Sequence, residues 1–358
     1  MCTITLCIIV KNEEEVLNQC LNSVSEICDE IIVVDTGSTD KTKEIASHFT
    51  EKVIDFKWID DFSAARNFAS SHATMDYILW LDASDIILEE DLQKLKTLKN
   101  NLDGSIDAVS MMYSFDGNLP SNNRRNHLVK REKKFLWVGP VNEFLNVTGN
   151  ILPANITITH RSSDKSKQSV KSDRNLIIYN NRVKNGEVFT PRDLFYFAKE
   201  LKIHAQFLRA SMYYREFLAT KKGSIEDEIR ACISIAECYR GMGNLDKEKE
   251  FLALSIKYDV PRPEVSCRLG DLNKACGNYK SAIIWYKLAL DIEVEDDYQG
   301  FMEKAYSPWY PHLHLCVCYW KIGDQERAVE HNNEAKKYRP NDVLVKRNEE
   351  FFNNRIKK

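Results

Sequence analysis

Three apolar runs near the start of the chain each stop on a polar cluster, and no other feature restricts the fold as tightly. Thr3–Val10 gives way to Lys11-Asn12-Glu13, Glu30–Asp35 to Thr36-Gly37-Ser38, and Tyr77–Leu81 to Asp82-Ala83-Ser84-Asp85. Runs rich in β-branched residues without polar alternation predict strands buried on both faces. Short helical patterns separate them. Val16, Cys20, Leu21 and Val24 share one helix face, with Asn12 placed as the cap. Ile45, Ala46 and Phe49 face inward from a helix starting near Thr39-Asp40, and Ala64, Ala65, Phe68 and Ala69 belong to one that Ser63 caps. Val53–Phe56 adds a strand. This alternation implies an α/β domain with a mostly parallel sheet covered on both faces. Ligands of such sheets bind at the carboxyl ends of the strands, where the polar clusters stand.

From about residue 190 the strand-like runs vanish. Ile235–Asn244, Leu269–Asn278 and Leu315–Asp324 align on Gly243, Gly277 and Gly323. Each is followed by a second helical segment with small or apolar inner residues: Phe251-Leu252, Ala282-Ile283 and Ala328-Val329. Gly243 and Gly277 are 34 residues apart, the period of tetratricopeptide (TPR) helix–turn–helix repeats. The 46 residues from Gly277 to Gly323 leave about 12 inserted around Asp296–Ala305. A more degenerate unit covers Leu194–Ala219. The organisation expected is an α/β domain over 1–165, a connecting helix over 166–190, and an all-α, TPR-like helical repeat domain over 191–358.

Composition removes several classes of function. Fifty Lys and Arg against 53 Asp and Glu leave a net charge of −3, so no nucleic-acid partner held by bulk electrostatics is expected. The ten cysteines include no CxxC pair and leave the stretch between Cys28 and Cys232 empty, which signals neither a zinc ribbon nor a redox dithiol. Most lie in apolar periodic segments, as buried thiols of a reducing, cytoplasmic protein do. The early apolar run Ile4–Val10 is far shorter than the ~20 residues of a membrane span and lacks the basic flank of a secretory signal. The sequons at Asn146 and Asn155 are then idle.

Read alone, each polar cluster has two meanings. Asp82-Ala83-Ser84-Asp85 suits a hard divalent cation, and equally a turn with a helix cap. Asp35 suits a base N–H or a ribose hydroxyl, while the residues after it also read as a loop and helix start. Arg66, one turn into its helix, suits a diphosphate or a solvated helix face.

Together, Thr5–Val24, Ile31–Ala46, Asp61–Ala69 and Tyr77–Asp85 resemble, in order, the motifs of family 2 glycosyltransferases of the GT-A (nucleotide-diphospho-sugar transferase) fold. Within that family they resemble the branch with C-terminal tetratricopeptide repeats, which includes enzymes that glycosylate Ser or Cys of bacteriocin peptides of the sublancin type. The resemblance implies a nucleotide pocket of Val10, Asn12, Glu13 and Asp35, with Asp35 near the base and Ser38, Leu81 and Ala83 beside the nucleotide sugar. Arg66 would lie by the diphosphate or the sugar. Asp82 would open the DxD motif that holds Mg²⁺ or Mn²⁺. The second acidic position is Ser84, with Asp85 next, so the implied metal site is Asp82, Ser84 and Asp85, and a serine hydroxyl brings it no charge.

Phe135–Phe144 resembles a family segment W-x-G-x-V-H-E in which Asn142 replaces the His and Glu143 is retained. Glu143 is then the expected general base on the acceptor, with Asp85 the second candidate where it is free of metal. Asn142 takes no proton and is left to orient substrate. His160, after the run Ile156–Thr159, matches a family His that completes the metal site or touches the β-phosphate. Trp137 either stacks on a sugar face or packs in the core.

The implied function is an inverting hexosyltransferase that moves a hexose, glucose being the expected one, from a UDP-sugar donor to Ser, Thr or Cys of a peptide. Stacked helix pairs offer a concave surface on which a peptide acceptor is held. Two other readings stand beside it: the same chemistry on a cell-surface glycan or lipid-linked sugar, and a catalytically degenerate TPR scaffold, which Ser84 and Asn142 motivate. A homodimer is compatible with the sequence, which does not fix the oligomeric state.

Overall fold

Glu30–Asp35 (β2) is buried at every position and Ile4–Val10 (β1) at all but Ile9, as strands covered on both faces must be. The computed structural model describes residues 2–115, 121–161, 165–292, 306 and 308–356. It divides into two compact units, 1–186 and 187–358.

In the first unit β1 and β2 are joined by Val53–Asp55 (β3), Tyr77–Trp80 (β4), Asp85–Ile87 (β5), Ala108–Phe115 (β6) and Ser121–Lys130 (β7). Trp137–Val138 (β8) and Phe144–Leu145 (β9) form a separate two-stranded ribbon, and Ile151–His160 (β10) returns to the main sheet. The order across that sheet is β3-β2-β1-β4-β7-β6-β10-β5. Its first four strands are parallel, as the alternating pattern predicts. The remainder is mixed: β7 runs antiparallel to β4 and β6, β5 antiparallel to β10, and β6 parallel to β10. "Mostly parallel" therefore describes one half only. β7 opens Ser-Asn-Asn-Arg-Arg-Asn, with no apolar run to announce it.

Leu17–Val24 (α1), Thr42–Ser47 (α2), Phe62–Ser71 (α3), Glu89–Asn101 (α4) and Lys165–Lys184 (α5) complete this unit. Ile4, Leu6, Ile8, Leu17, Leu21, Leu79 and Leu81 build the core on one face of the sheet, and Cys7, Ile32, Val34, Ala69 and Ile78 a second cluster. Two expected caps move. Asn12 does not cap α1; it sits at φ 54°, a left-handed conformation that Asn tolerates. α3 is capped by Asp61, whose carboxylate accepts from the Ala64 N–H at 2.9 Å, while Ser63 lies inside the helix. The helix expected as a connector belongs to the first unit. Its Leu176, Ile178 and Tyr179 are buried, and its Arg174 guanidinium stacks 4.4 Å from the Phe62 ring centroid.

The second unit pairs Pro191–Ile203 with Phe207–Thr220, Ile225–Gly241 with Leu245–Ser255, Pro263–Ala275 with Tyr279–Asp291, and Trp309–Lys321 with Gln325–Tyr338, before Val343–Ile356. Gly243, Gly277 and Gly323 turn the chain at φ 74°, 76° and 89°. The next residue's N–H then bonds back five positions: Asn244 to the Tyr239 carbonyl, Asn278 to Asn273 and Asp324 to Tyr319. The first pair makes the same bond, Gln206 to Leu201, with Ala205 at φ 54° where the others carry glycine. That substitution is why the unit looks degenerate in sequence. The expected insertion around Asp296–Ala305 lies outside the described residues. No described helix is long and apolar enough to cross a membrane. All ten cysteines are free thiols and seven are buried.

Candidate functional site

The carboxyl ends of β1, β2 and β4 open onto a cavity of about 270 Å³. Val10, Glu13 and Thr36 line it from the first two strand ends, and Asp82, Ala83 and Ser84 from the third. Phe62 and Arg66, four apart and so on one face of α3, line it from the side, with Glu143, His160 and Arg174 around the rim.

Arg66 is the electrostatic centre. Its Nη2 donates to Asp82 Oδ1 at 2.6 Å and its Nε to Glu143 Oε1 at 2.8 Å. The guanidinium lies 4.5 Å from the Trp137 ring and 5.3 Å from Trp80. Burial alone would weaken its hold on the proton, but Asp82 and Glu143 outweigh that and raise its pKa further. In turn, burial pushes the Asp82 carboxyl up, and the adjacent Arg66 more than reverses this, leaving it at about 2. Both partners are charged at neutral pH.

The segment that carries Glu143 is tied to α3. Asn67 donates to the Trp137 carbonyl and accepts from the Trp137 N–H, both at 2.9 Å, and the Phe62 N–H donates to the Pro140 carbonyl at 2.9 Å. Gly139, at φ 96°, makes the bend that any other residue would strain.

Asp85 stands behind the cavity. The β5–β10 register sets it directly beside His160. Its Oδ1 accepts from the Tyr113 hydroxyl and from His160 Nδ1, both at 2.8 Å, and its Oδ2 accepts from the Asp82 N–H at 3.0 Å. Fully buried and bonded at both oxygens, it is not poised as a general base and does not line the cavity. It holds the His160 ring through Nδ1 and leaves Nε2 unengaged by this contact, an arrangement common behind metal-binding histidines. Ligand atoms of Asp82, Asp85 and His160 all lie within 4.8 Å of one another, and a mixed oxygen and nitrogen set fits Mn²⁺ readily and Mg²⁺ less well.

Asp35 is buried at the end of β2. Its Oδ2 accepts from the Gly37 and Ser38 N–H groups at 3.0 and 2.9 Å, and its Oδ1 has no partner. Asn12 and Ser38 do not line the cavity; they lace the two strand-end loops together. Asn12 N–H donates to Ser38 Oγ at 2.9 Å, and Thr39 N–H donates to Asn12 Oδ1 at 2.8 Å. Leu81 is in the core, and Trp137 is buried beneath Arg66, so its ring is not open to a sugar. Asn142, at φ 53°, and Ser84 both line the cavity. Tyr113, Arg174 and the tether made by Asn67 were not legible as site residues. Tyr113 is one aromatic in an apolar strand, and Arg174 one cation on a helix outside every motif.

The family model for glycosyl transferase family 2 matches residues 5–166, and that for tetratricopeptide repeats matches 229–259 and 263–293. The first unit is a family 2 glycosyl transferase domain. The chain is 33% identical over 210 residues to the SPbeta prophage-derived glycosyltransferase SunS of Bacillus subtilis, covering 56% of this chain and 50% of that one. It is 46% identical over 97 residues to a TPR repeat-containing protein of Synechococcus elongatus, covering 27% and 24% of the two chains. The chain thus spans a quarter to a half of the length of these curated relatives. Glucosyl-3-phosphoglycerate synthase from Mycobacterium tuberculosis is 16% identical, with 53% of this chain and 81% of that one covered and a TM-score of 0.37, too slight an overlap to carry anything across.

Proposed function

We propose that the domain moves a hexose from a UDP-sugar to the side chain of Ser, Thr or Cys in a peptide, with inversion at the anomeric carbon. The observation that carries the donor is Asp35 Oδ1, a buried acceptor without a partner at the strand end beside the cavity. Such an oxygen is costly to leave unmet, and the imide N–H of uracil would satisfy it. Asp82 and His160 would hold Mg²⁺ or Mn²⁺, which when bound neutralises charge on the departing diphosphate. Asp85 orients the His160 ring. Glu143, on the cavity wall, accepts the acceptor's proton, while Arg66 keeps that carboxylate aimed. The repeat unit is the expected holder of the peptide.

The test is incubation of the protein with UDP-glucose and other UDP-sugars, Mg²⁺ or Mn²⁺, and peptides rich in Ser, Thr or Cys, followed by intact mass and by UDP release. A hexose added to peptide supports the proposal. Transfer only to glycan or lipid-linked sugar refutes the acceptor, and absence of both transfer and UDP binding refutes the donor.

A further inference from the structure

We infer that Arg174, on α5, is the cation that grips the diphosphate of the nucleotide-sugar donor, the part that resemblance to the family gives to Arg66. The inference rests on the donor class proposed above.

Arg66 is already committed. Two carboxylates occupy its Nε and Nη2, and two indoles lie against it. To hold a phosphate with those nitrogens it would have to release Asp82 or Glu143, leaving a carboxylate beside an incoming anion. Arg174 is in the opposite situation. It lines the same cavity, its Nε is buried without a hydrogen-bond partner, and no carboxylate lies within ion-pair distance of it among the described residues. Burial lowers its pKa, and Glu143 and Glu13, close enough to act through space, partly restore it. A guanidinium so placed lacks the acceptors that a charged fork of donors demands.

Phe62 supplies the preorganisation. The Arg174 guanidinium packs 4.4 Å from that ring, which fixes the plane of the fork before any ligand arrives. Phe62 is also one turn from Arg66 on α3, so the same helix sets both cations around one cavity. The ligand such a fork fits is a planar array of anionic oxygens, which a diphosphate presents. Lys11 also lines the cavity, but it is exposed, where water competes for its charge. Arg174 lies beyond residues 5–166, the span that matches the family model, so no motif of that span includes it.

The experiment is calorimetric titration of the full chain with UDP, UMP and uridine in Mn²⁺, comparing wild type with R174A, R174K and R174Q. The inference expects R174A and R174Q to bind UDP about ten-fold or more weakly, as loss of a charged hydrogen bond would cause, with uridine affinity within two-fold of wild type. R174K, which keeps the charge without the fork, should recover part of the loss. R174Q retains hydrogen-bond donors on a planar group and guards against loss of fold in R174A, and thermal unfolding of each variant checks this. UDP binding unchanged in both neutral variants would overturn the inference and leave the donor class standing. Equal losses for UDP and uridine would also overturn it, because Arg174 would then support the pocket as a whole. Wild type that binds no UDP overturns the donor class itself.

Discussion

Replacing Arg66 with Met should unfold the transferase domain far more readily, and the size of the effect follows from its two ion pairs. At an effective dielectric constant of about 20, opposite unit charges about 4 Å apart attract by roughly 4 kcal/mol. The Arg66 and Glu143 side chains are 10% and 13% exposed, so that arm keeps most of this value. The Asp82 side chain is 35% exposed, and its arm resembles a surface pair worth at most about 1 kcal/mol. R66M also leaves two carboxylates without the cation that both bond, so the domain should lose about 3–5 kcal/mol. In a unit of this size that lowers its unfolding temperature by roughly 6–20 °C. Differential scanning calorimetry with tryptophan fluorescence checks it, since Trp80 and Trp137 lie against the substituted side chain. The triple variant R66M/D82N/E143Q removes every charge of the network and should regain most of the loss. An R66M protein as stable as wild type, or a triple variant no better than R66M, would refute the reasoning.

Three other outcomes are expected. E143Q keeps an acceptor for Arg66 Nε but takes no proton, so turnover on a hydroxyl acceptor should fall about 10²–10⁴-fold; a Cys acceptor should lose much less near pH 8.5, where thiolate forms unaided, and initial rates of UDP release on paired Ser and Cys peptides measure both. Burial holds the His127 imidazole down at about 4, against the opposing pull of its bond to the Trp80 carbonyl. The unfolded chain, with a His near 6.5, binds the proton first, so stability is complete above about pH 6.5 and declines by on the order of 3 kcal/mol as pH falls towards 4. Urea unfolding across that range should show the decline in wild type and a flatter profile in H127F. In the repeat unit, a Cβ on Gly270 would stand 2.7 Å from the fully buried Tyr286 ring, whose hydroxyl is anchored on Asp271. G270A should therefore cost about 1–3 kcal/mol in calorimetry, whereas G104A, with nothing within 4 Å, should not.

What could be read from sequence divides along a physical line. β1, β2 and β4 were legible because burial on both faces leaves a continuous apolar run, and the three polar clusters marked the edge on which the cavity opens without any coordinates. The repeat turns were legible because a left-handed residue favours glycine, and Ala205 shows how the signal fades when another residue takes that conformation. Asp82, Arg66 and Glu143 were read as site residues from their motifs, yet their mutual ion pairs join residues 16 and 77 positions apart, which no local pattern encodes. The surroundings of Asp85, expected as a metal ligand or else a second base, were hidden for the same reason. Its neighbour in space is His160, 75 residues away, and only strand register makes it a buried support instead of a base. Trp137 had two readings, and the Arg66 guanidinium above it decides for packing. Arg174 gave no sign, since a cation on an amphipathic helix is ordinary until the helix is seen against a cavity.

The ten residues of α3 hold the cavity wall (Phe62), its central charge (Arg66) and the tether of the Glu143 segment (Asn67). A helix moves as one lever, and this one is capped at its start by Asp61. Errors in its seating are therefore correlated: a tilt that misplaces the wall misplaces the cation and the base by the same motion. Drift accumulating in this domain should thus degrade donor affinity and turnover in step, and a compensating change anywhere along the lever can restore both at once.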